Sequence, residues 1–284
     1  MSSGSIGVDL SERGVTAVLL DAGGTVVKHA SAEAGDAVAK ALKQVGGPAA
    51  VRAIGVSLDP SQERPADKQF GGRTPVWCSP GAAAVVAETW VGAARGAENA
   101  ICLWIGERVF AGLMLDGRPW AGAHGLAGSA AWLALNPVER QDYRKFGNLA
   151  AEVSSTGIAR RLSWRIQSGD HSAALDRAGD IQSITSAHVF ESARDGDGVA
   201  ISVVRETARY VAMAIANLAS AIDPEMVVLA GPLAEAGDLL MDPIAQECRR
   251  RLSPAILPHF RLELSTLGVR AIAIGAARLA SDAA

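Results

Sequence analysis

The sequence predicts a two-lobed α/β protein, and three observations carry that prediction. Residues 5–27 read as three short apolar strands joined by tight turns, residues 100–118 repeat the same strand-turn-strand-turn order, and Met226–Ala230 is a fully apolar strand directly after a long amphipathic helix. Duplication of a β-meander followed by helix and strand points to two related lobes facing each other. The first covers residues 1–95, the second covers 96–269, and the terminal helix 270–284 joins the first.

Each element has a local reason. SIGVDL at 5–10 and VTAVLLD at 15–21 are β-rich runs separated by Ser11-Glu12-Arg13-Gly14, and Asp21-Ala22-Gly23-Gly24 turns the chain into Thr25-Val26-Val27. A helix over 32–46 ends at Gly46-Gly47-Pro48 and leads to a buried strand at Val51–Val56. Residues 58–75, rich in Pro, Gly and charge, read as a surface loop before a strand at Val76–Cys78 and a helix over 80–95. In the second lobe, strands Ala100–Ile105 and Val109–Leu115 flank Gly106-Glu107-Arg108, and Asp116-Gly117-Arg118 turns again. Helices follow over 147–168, 184–194 and 198–221, the last stopped by Asp223-Pro224 ahead of Met226–Ala230. A helix over 236–252, a strand near 261–265 and a helix over 270–282 complete the chain.

Composition narrows the function. Hydrophobic residues make up 49% and charged residues 20% of the 284, which suits a folded soluble globule. With 27 Lys and Arg against 30 Asp and Glu, the chain lacks the basic excess that phosphate-backbone binding uses, so nucleic acid is not an expected partner. Cys78, Cys102 and Cys248 form no pair at ligand spacing, which indicates buried free thiols, a reducing compartment and no thiolate metal site. Neither an apolar run of about 18 residues nor a basic leader is present, so no membrane span or signal peptide is expected and the cytoplasm is the default.

Three stretches then carry a family resemblance. They are Gly7-Val8-Asp9-Leu10 with the alternation up to Asp21, GLMLDGR at 112–118 with GAHGLAG at 122–128, and GDGVAISVVRETARYVAMAIANLASAIDPEMVVLAG at 196–231. In order and spacing the chain resembles the ROK family (repressors, open reading frames and sugar kinases) over nearly its whole length. The resemblance implies the two-lobed actin-like ATPase fold, also called ribonuclease H-like, and relatives that transfer the ATP γ-phosphoryl group to a hexose hydroxyl. It places Asp9, Gly106 and Gly231 at residual nucleotide positions, and His124 and Glu152 near a sugar.

The departures from that pattern fall on the chemistry. The family's D-x-G-G-T turn lets backbone N–H groups approach phosphate, whereas here Asp9-Leu10 is followed by Ser11, Glu12 and Arg13. The second phosphate turn, G-T-G-x-G, reads Gly106-Glu107-Arg108-Val109-Phe110. A carboxylate ~4 Å from a phosphate charge costs about 4 kcal/mol at an effective dielectric of 20. The family's N-D-A-N-A-A-A-x-x-E run reads Ser79 to Glu88, with Pro80 where the general base belongs. A missing base lowers the rate by ~10²–10⁴. Glu88 matches the terminal Glu and is expected at the helix surface or in a cap. The G-E-x-G-H run reads Gly128-Ser129-Ala130-Ala131-Trp132, and Gln141, Tyr143 and Asn148 replace the zinc cysteines, so no structural zinc is expected. Ala150 takes the place of the sugar-binding Glu, two positions before Glu152.

These changes lead to one functional expectation and two competitors. The first is a catalytically inactive pseudokinase that needs no cofactor and senses a sugar-like small molecule or contacts a protein. The second is an ATP- and Mg-dependent sugar or amino-sugar kinase with relocated catalytic groups. The third is other chemistry using Asp9, Glu12, Glu107 and Asp116. Family repressors carry a helix-turn-helix before the first meander, and with six residues preceding Gly7 direct repression is not expected. Relatives pair through the C-terminal lobe, and the alanines of 209–221 predict a homodimer. Glu12-Arg13 and Glu107-Arg108 are expected to form at least one Glu–Arg contact between the turns. Trp77, Trp104, Trp120 and Trp132 are expected to fill space the ligands vacated. Arg249-Arg250-Arg251 reads as a solvated helix end, and His29, His171, His188 and His259 as surface or structural residues.

Overall fold

A computed structural model describes residues 4–11, 14–33 and 37–284, apart from the side chain of Ala50. The chain divides into two compact units, one built from residues 1–102, 111–128 and 265–284 and the other from 103–110 and 129–264.

Unit 1 holds a five-stranded sheet of order β3-β2-β1-β4-β5. Its strands are β1 (Ser5–Ser11), β2 (Gly14–Leu20), β3 (Val26–Ala32), β4 (Ala53–Ser57) and β5 (Val76–Cys78). The meander β1-β2-β3 is antiparallel, while β4 pairs with β1, and β5 with β4, in parallel. Central β1 is buried along nearly its whole length, as its continuous apolar run requires. Helices α1 (Ala37–Gln44), α2 (Pro80–Trp90) and α10 (Ala271–Ala283) belong to this unit, whose core includes Ile6, Val8, Leu42, Ile54, Val56 and Phe70. Helix α10 lies against β1, β4 and α2. Three glycines permit that approach: a Cβ on Gly7, Gly55 or Gly275 would lie 1.8 Å from Ala273 O, 1.8 Å from Ala276 O and 1.7 Å from Ala83 O, respectively.

The second sheet runs β10-β9-β6-β7-β8, with β6 (Ala100–Ile105), β7 (Val109–Leu115), β8 (Arg118–Pro119), β9 (Met226–Ala230) and β10 (Leu262–Leu264). The unit boundary cuts β6 after Cys102 and β7 after Phe110. Unit 2 carries α3 (Gln141–Phe146), α4 (Asn148–Val153), α5 (Ser155–Gln167), α6 (Ala173–Ala178), α7 (Ser186–Arg194), α8 (Gly198–Ile222) and α9 (Gly237–Arg251). Asp197 caps α8 by accepting from the Ala200 N–H at 2.8 Å, and Asp223 ends it in the left-handed region at φ 53°.

Several boundaries differ from expectation. The helix expected over 147–168 is two helices, because Ser154 is extended (ψ 157°) and its hydroxyl caps α5 through the Gly157 N–H at 3.0 Å. Helices α3 and α6 have no counterpart among the expected elements, because at only 6 residues each they are too short for a periodic signal. Strand β3 continues to Ala32, paired with Val15, where a helix was expected to begin. Its Lys28, His29 and Ser31 face solvent on an edge strand, so its alternation is hidden. Helix α2 stops at Trp90 instead of 95, since the N–H groups of Val91 and Gly92 close onto the Ala87 carbonyl. The alanines 212, 214, 216 and 219 of α8 are buried within unit 2, where α8 packs on α4, α5, α7 and α9.

Candidate functional site

In unit 1 the parallel register places Asp9, Ser57 and Cys78 in one row across β1, β4 and β5. Asp9 is 7% exposed, and the Ser57 hydroxyl donates to its Oδ1 at 3.2 Å. Burial, reinforced by the Asp9 carboxylate, pushes the Cys78 thiol up to about 12. Pro80 is the first residue of α2 and is buried, while Ser79 caps the helix by accepting from the Ala82 N–H at 3.2 Å. Proline suits that position because its fixed φ and missing N–H cost the first turn nothing. It also presents no side-chain proton acceptor.

Glu88 is not on the helix surface. It is fully buried, its Oε1 accepts from the Ser265 hydroxyl at 2.5 Å, and its Oε2 accepts from the Ala93 N–H at 3.0 Å. Burial raises its carboxyl above the usual range, against the lowering effect of those two hydrogen bonds. Nor does the carboxylate cap α2: it accepts from Ala93, beyond the helix end, and from Ser265, while Val91 is the C-cap.

In unit 2 Gly106 and Gly231, the two glycines expected at residual nucleotide positions, lie at neighbouring turns. A Cβ on Gly106 would lie 2.7 Å from Pro232 Cδ, and one on Gly231 (φ 86°) 2.6 Å from Ile105 O. Both glycines therefore permit backbone packing between the β6–β7 turn and the turn after β9. That turn is further tied down by the Ser155 N–H on the Gly106 carbonyl at 2.9 Å and by the Thr156 hydroxyl on Glu107 Oε2 at 2.7 Å. The Arg108 guanidinium sits 5.7 Å over Phe110, whose ring stacks on Trp104 at 5.8 Å. A cavity of about 230 Å³ opens beside it, lined by Ile105, Ile158, Phe190, Pro232, Leu233 and Arg194 among others. Asp238 holds Arg194 through two 2.7 Å bonds. Glu12 and Arg13 lie outside the described residues, and with them the contact expected between the turns.

His124 is exposed in a loop bent by Gly122, Gly125 and Gly128 at φ 74°, 73° and 81°. Glu152 is buried at 6% exposure and is held by its own chain: the Tyr143 hydroxyl donates to it at 2.5 Å, Arg161 Nη2 at 2.9 Å and Arg140 Nη1 at 3.4 Å. Sequence reasoning missed this cluster. Its available signal was Arg161 on the apolar stripe of Ile158 and Leu162, a position where an arginine needs a partner. Among the four tryptophans, Trp104 is 5% exposed and Trp77 packs edge-on against Phe70, but Trp120 and Trp132 are 50% and 58% exposed and fill no volume. Asp116, with φ 50°, is an exposed turn residue whose N–H donates to Asn99 Oδ1. Among the described residues no group of three His, Cys, Asp or Glu is placed to hold a metal. Arg250 and Arg251 pair with Glu247, and His188 completes a capping box with Thr185.

The sheets and their helices define the actin-like ATPase fold of the sugar kinases. The chain belongs to the ROK family, whose model matches residues 74–283. A glucokinase from Halalkalibacterium halodurans is 32% identical over 194 residues, 68% of this chain and 59% of that protein. A xylose repressor from Caldicellulosiruptor bescii is 24% identical over 68% of this chain and 48% of its own length. The chain thus matches less than two thirds of the length of these curated relatives. Among solved structures, a ROK family glucokinase from Streptomyces griseus in complex with glucose and AMPPNP superposes with a TM-score of 0.85 at 25% identity, covering 98% of this chain and 99% of that one. No described helix is long and apolar enough to cross a membrane.

Proposed function

We propose that the protein is a catalytically inactive relative of the sugar kinases, a cytoplasmic pseudokinase that senses a sugar-like ligand or contacts a protein partner. The observation that carries this reading is Pro80 at the first position of α2, where the resemblance places the aspartate that would take the hydroxyl proton. A pyrrolidine ring accepts no proton, and the neighbouring Ser79 hydroxyl is engaged as the helix cap. Glu107 supports the same reading. Its carboxylate at the β6–β7 turn does not suit a triphosphate, and the two turn glycines serve close packing. The protein works without ATP, magnesium or zinc in this reading.

The test is a coupled assay of ATP-dependent phosphorylation over a panel of hexoses and amino sugars, together with thermal melts at millimolar ATP. The expected outcome is no product and no ATP-dependent shift. ATP binding near micromolar affinity overturns the reading.

A second reading, an ATP-dependent sugar kinase with relocated groups, is favoured by the cavity of about 230 Å³ that remains beside Gly106 and Pro232. Product formation in the same assay selects it. We also propose a homodimer. Four of the alanines that suggested α8 as its contact are buried and Ala221 alone of them is exposed, so pairing is expected through another surface, with light scattering as the check.

A further inference from the structure

We infer that a second cavity, within unit 2, is a binding site for a small oxyanion carrying a ring: a sugar phosphate or an aromatic carboxylate. It encloses about 470 Å³ against α3, α4, α5 and α8, and its lining includes Arg140, Arg160, Arg161 and Arg209 with the aromatic Trp164 and Tyr210. That volume falls within the range of small-molecule pockets, ~300–1,000 Å³.

The charges decide the ligand's sign. Four guanidinium groups line the cavity against the carboxylates of Asp142, Glu152 and Glu206, an excess of one positive charge. Each carboxylate is already matched: Asp142 by Arg160 at 3.6 Å, Glu152 by Arg161 at 2.9 Å, and Glu206 by Arg161 at 3.6 Å. The Glu152–Arg161–Tyr143 group is buried and forms a rigid polar floor. Donor capacity remains on three arginines, and on one of them, Arg160, the Nε is buried with no hydrogen-bond partner among the described residues. Arg140 makes a single bond of 3.4 Å to Glu152 with its side chain 49% exposed, although a guanidinium has five N–H donors. Arg209 is exposed and has no hydrogen bond or ion pair among the described residues. Paired guanidinium donors are the groups that recognise carboxylate and phosphate.

The walls decide the ligand's body. The Arg160 guanidinium lies 5.4 Å from the Phe146 ring and 5.2 Å from the Trp164 ring, and that of Arg161 lies 5.6 Å over Tyr210. Flat aromatic and guanidinium surfaces favour the face of a sugar or aryl ring over a bare ion. The lining of this cavity includes no residue of the Gly106 or Gly231 turns, so the site stands whether or not the protein is a kinase.

Calorimetric titration of the full chain at low ionic strength tests it, with glucose 6-phosphate, benzoate, glucose and inorganic phosphate as probes. We expect at least one ring-bearing oxyanion to bind at sub-millimolar affinity, glucose not to bind, and phosphate to bind roughly tenfold more weakly or less. Binding of only glucose 6-phosphate or only benzoate supports the site and identifies the preferred body. Arg140→Ala and Arg209→Ala should each weaken binding roughly tenfold, whereas Arg278→Ala, in unit 1, should leave it unchanged. Circular dichroism checks that each variant folds. The proposal is overturned if neither ring-bearing oxyanion binds, if glucose or phosphate binds as well as they do, or if folded Arg140→Ala and Arg209→Ala proteins bind like the parent.

Discussion

Glu88 and Ser265, 177 residues apart, share a 2.5 Å hydrogen bond that ties the end of α2 to the segment leading into α10. Because the Ser265 hydroxyl also accepts from the Leu267 N–H at 3.2 Å, one buried carboxylate orders two chain ends of unit 1. Its environment has a consequence for pH. The folded carboxyl titrates above the ordinary 4.5, so the folded state holds its proton where the unfolded chain has released it. The stability this group contributes is full below about pH 4.5 and is lost as pH rises through the raised folded value. Glu88→Gln is neutral throughout and keeps an acceptor for the Ala93 N–H. Melts from pH 5 to 8 should show the variant gaining on the parent as pH rises, and parallel curves would refute this. Glu88→Ala should cost about 1–3 kcal/mol through donors left unpaired.

The glycine contacts of α10 make a packing prediction. Since a Cβ on Gly275 would come within 1.7 Å of the Ala83 carbonyl oxygen, backbone must move to admit it. Gly275→Ala is expected to lose about 1–3 kcal/mol in denaturant unfolding even though alanine is the better helix former. An unchanged or raised midpoint would show that α10 does not pack this closely.

Removing Glu152 should be costly for a different reason. Arg161 is buried beside it, and without the carboxylate its charge has only the more exposed Glu206 at 3.6 Å. Glu152→Ala should destabilise by about 3–5 kcal/mol, and Tyr143→Phe, which removes one hydrogen bond, by about 1 kcal/mol. Urea titration separates the two.

Pro80→Asp tests the pseudokinase reading directly. Pro80 is buried, so an aspartate there is expected to fold with a lowered melting temperature, the desolvation of its carboxylate being offset only in part by the first-turn position. It should still form no sugar phosphate in the coupled assay, because Glu107 remains at the β6–β7 turn.

The three thiols should be inert in the native protein. Burial raises all of them, Cys78 and Cys248 to about 12 and Cys102 well above its ordinary value, so little thiolate exists at pH 8. Mass spectrometry after iodoacetamide should find no alkylation until urea is added. Rapid labelling of native Cys78 would contradict the burial that raises it.

Local signals in the sequence determined the strands best. β6, β7 and β9 begin and end where expected because each is an apolar run that starts after a polar residue and is closed by Gly106, Asp116 or Gly231, turn formers that act without reference to the rest of the chain. The family and its two-lobed fold were legible in the same way, from runs at fixed spacing. Pro80 and Glu107 were legible as residue types set against a motif. Tertiary structure alone decided what side chains do once buried. Whether Glu88 lies on a surface or in a core depends on Ser265, and the packing of Gly106 depends on Pro232. The fate of Glu152 depends on Arg161 in the next helix. Such partners meet only after elements distant in sequence pack together, and the cost of burying a charge unpaired then fixes the pairing.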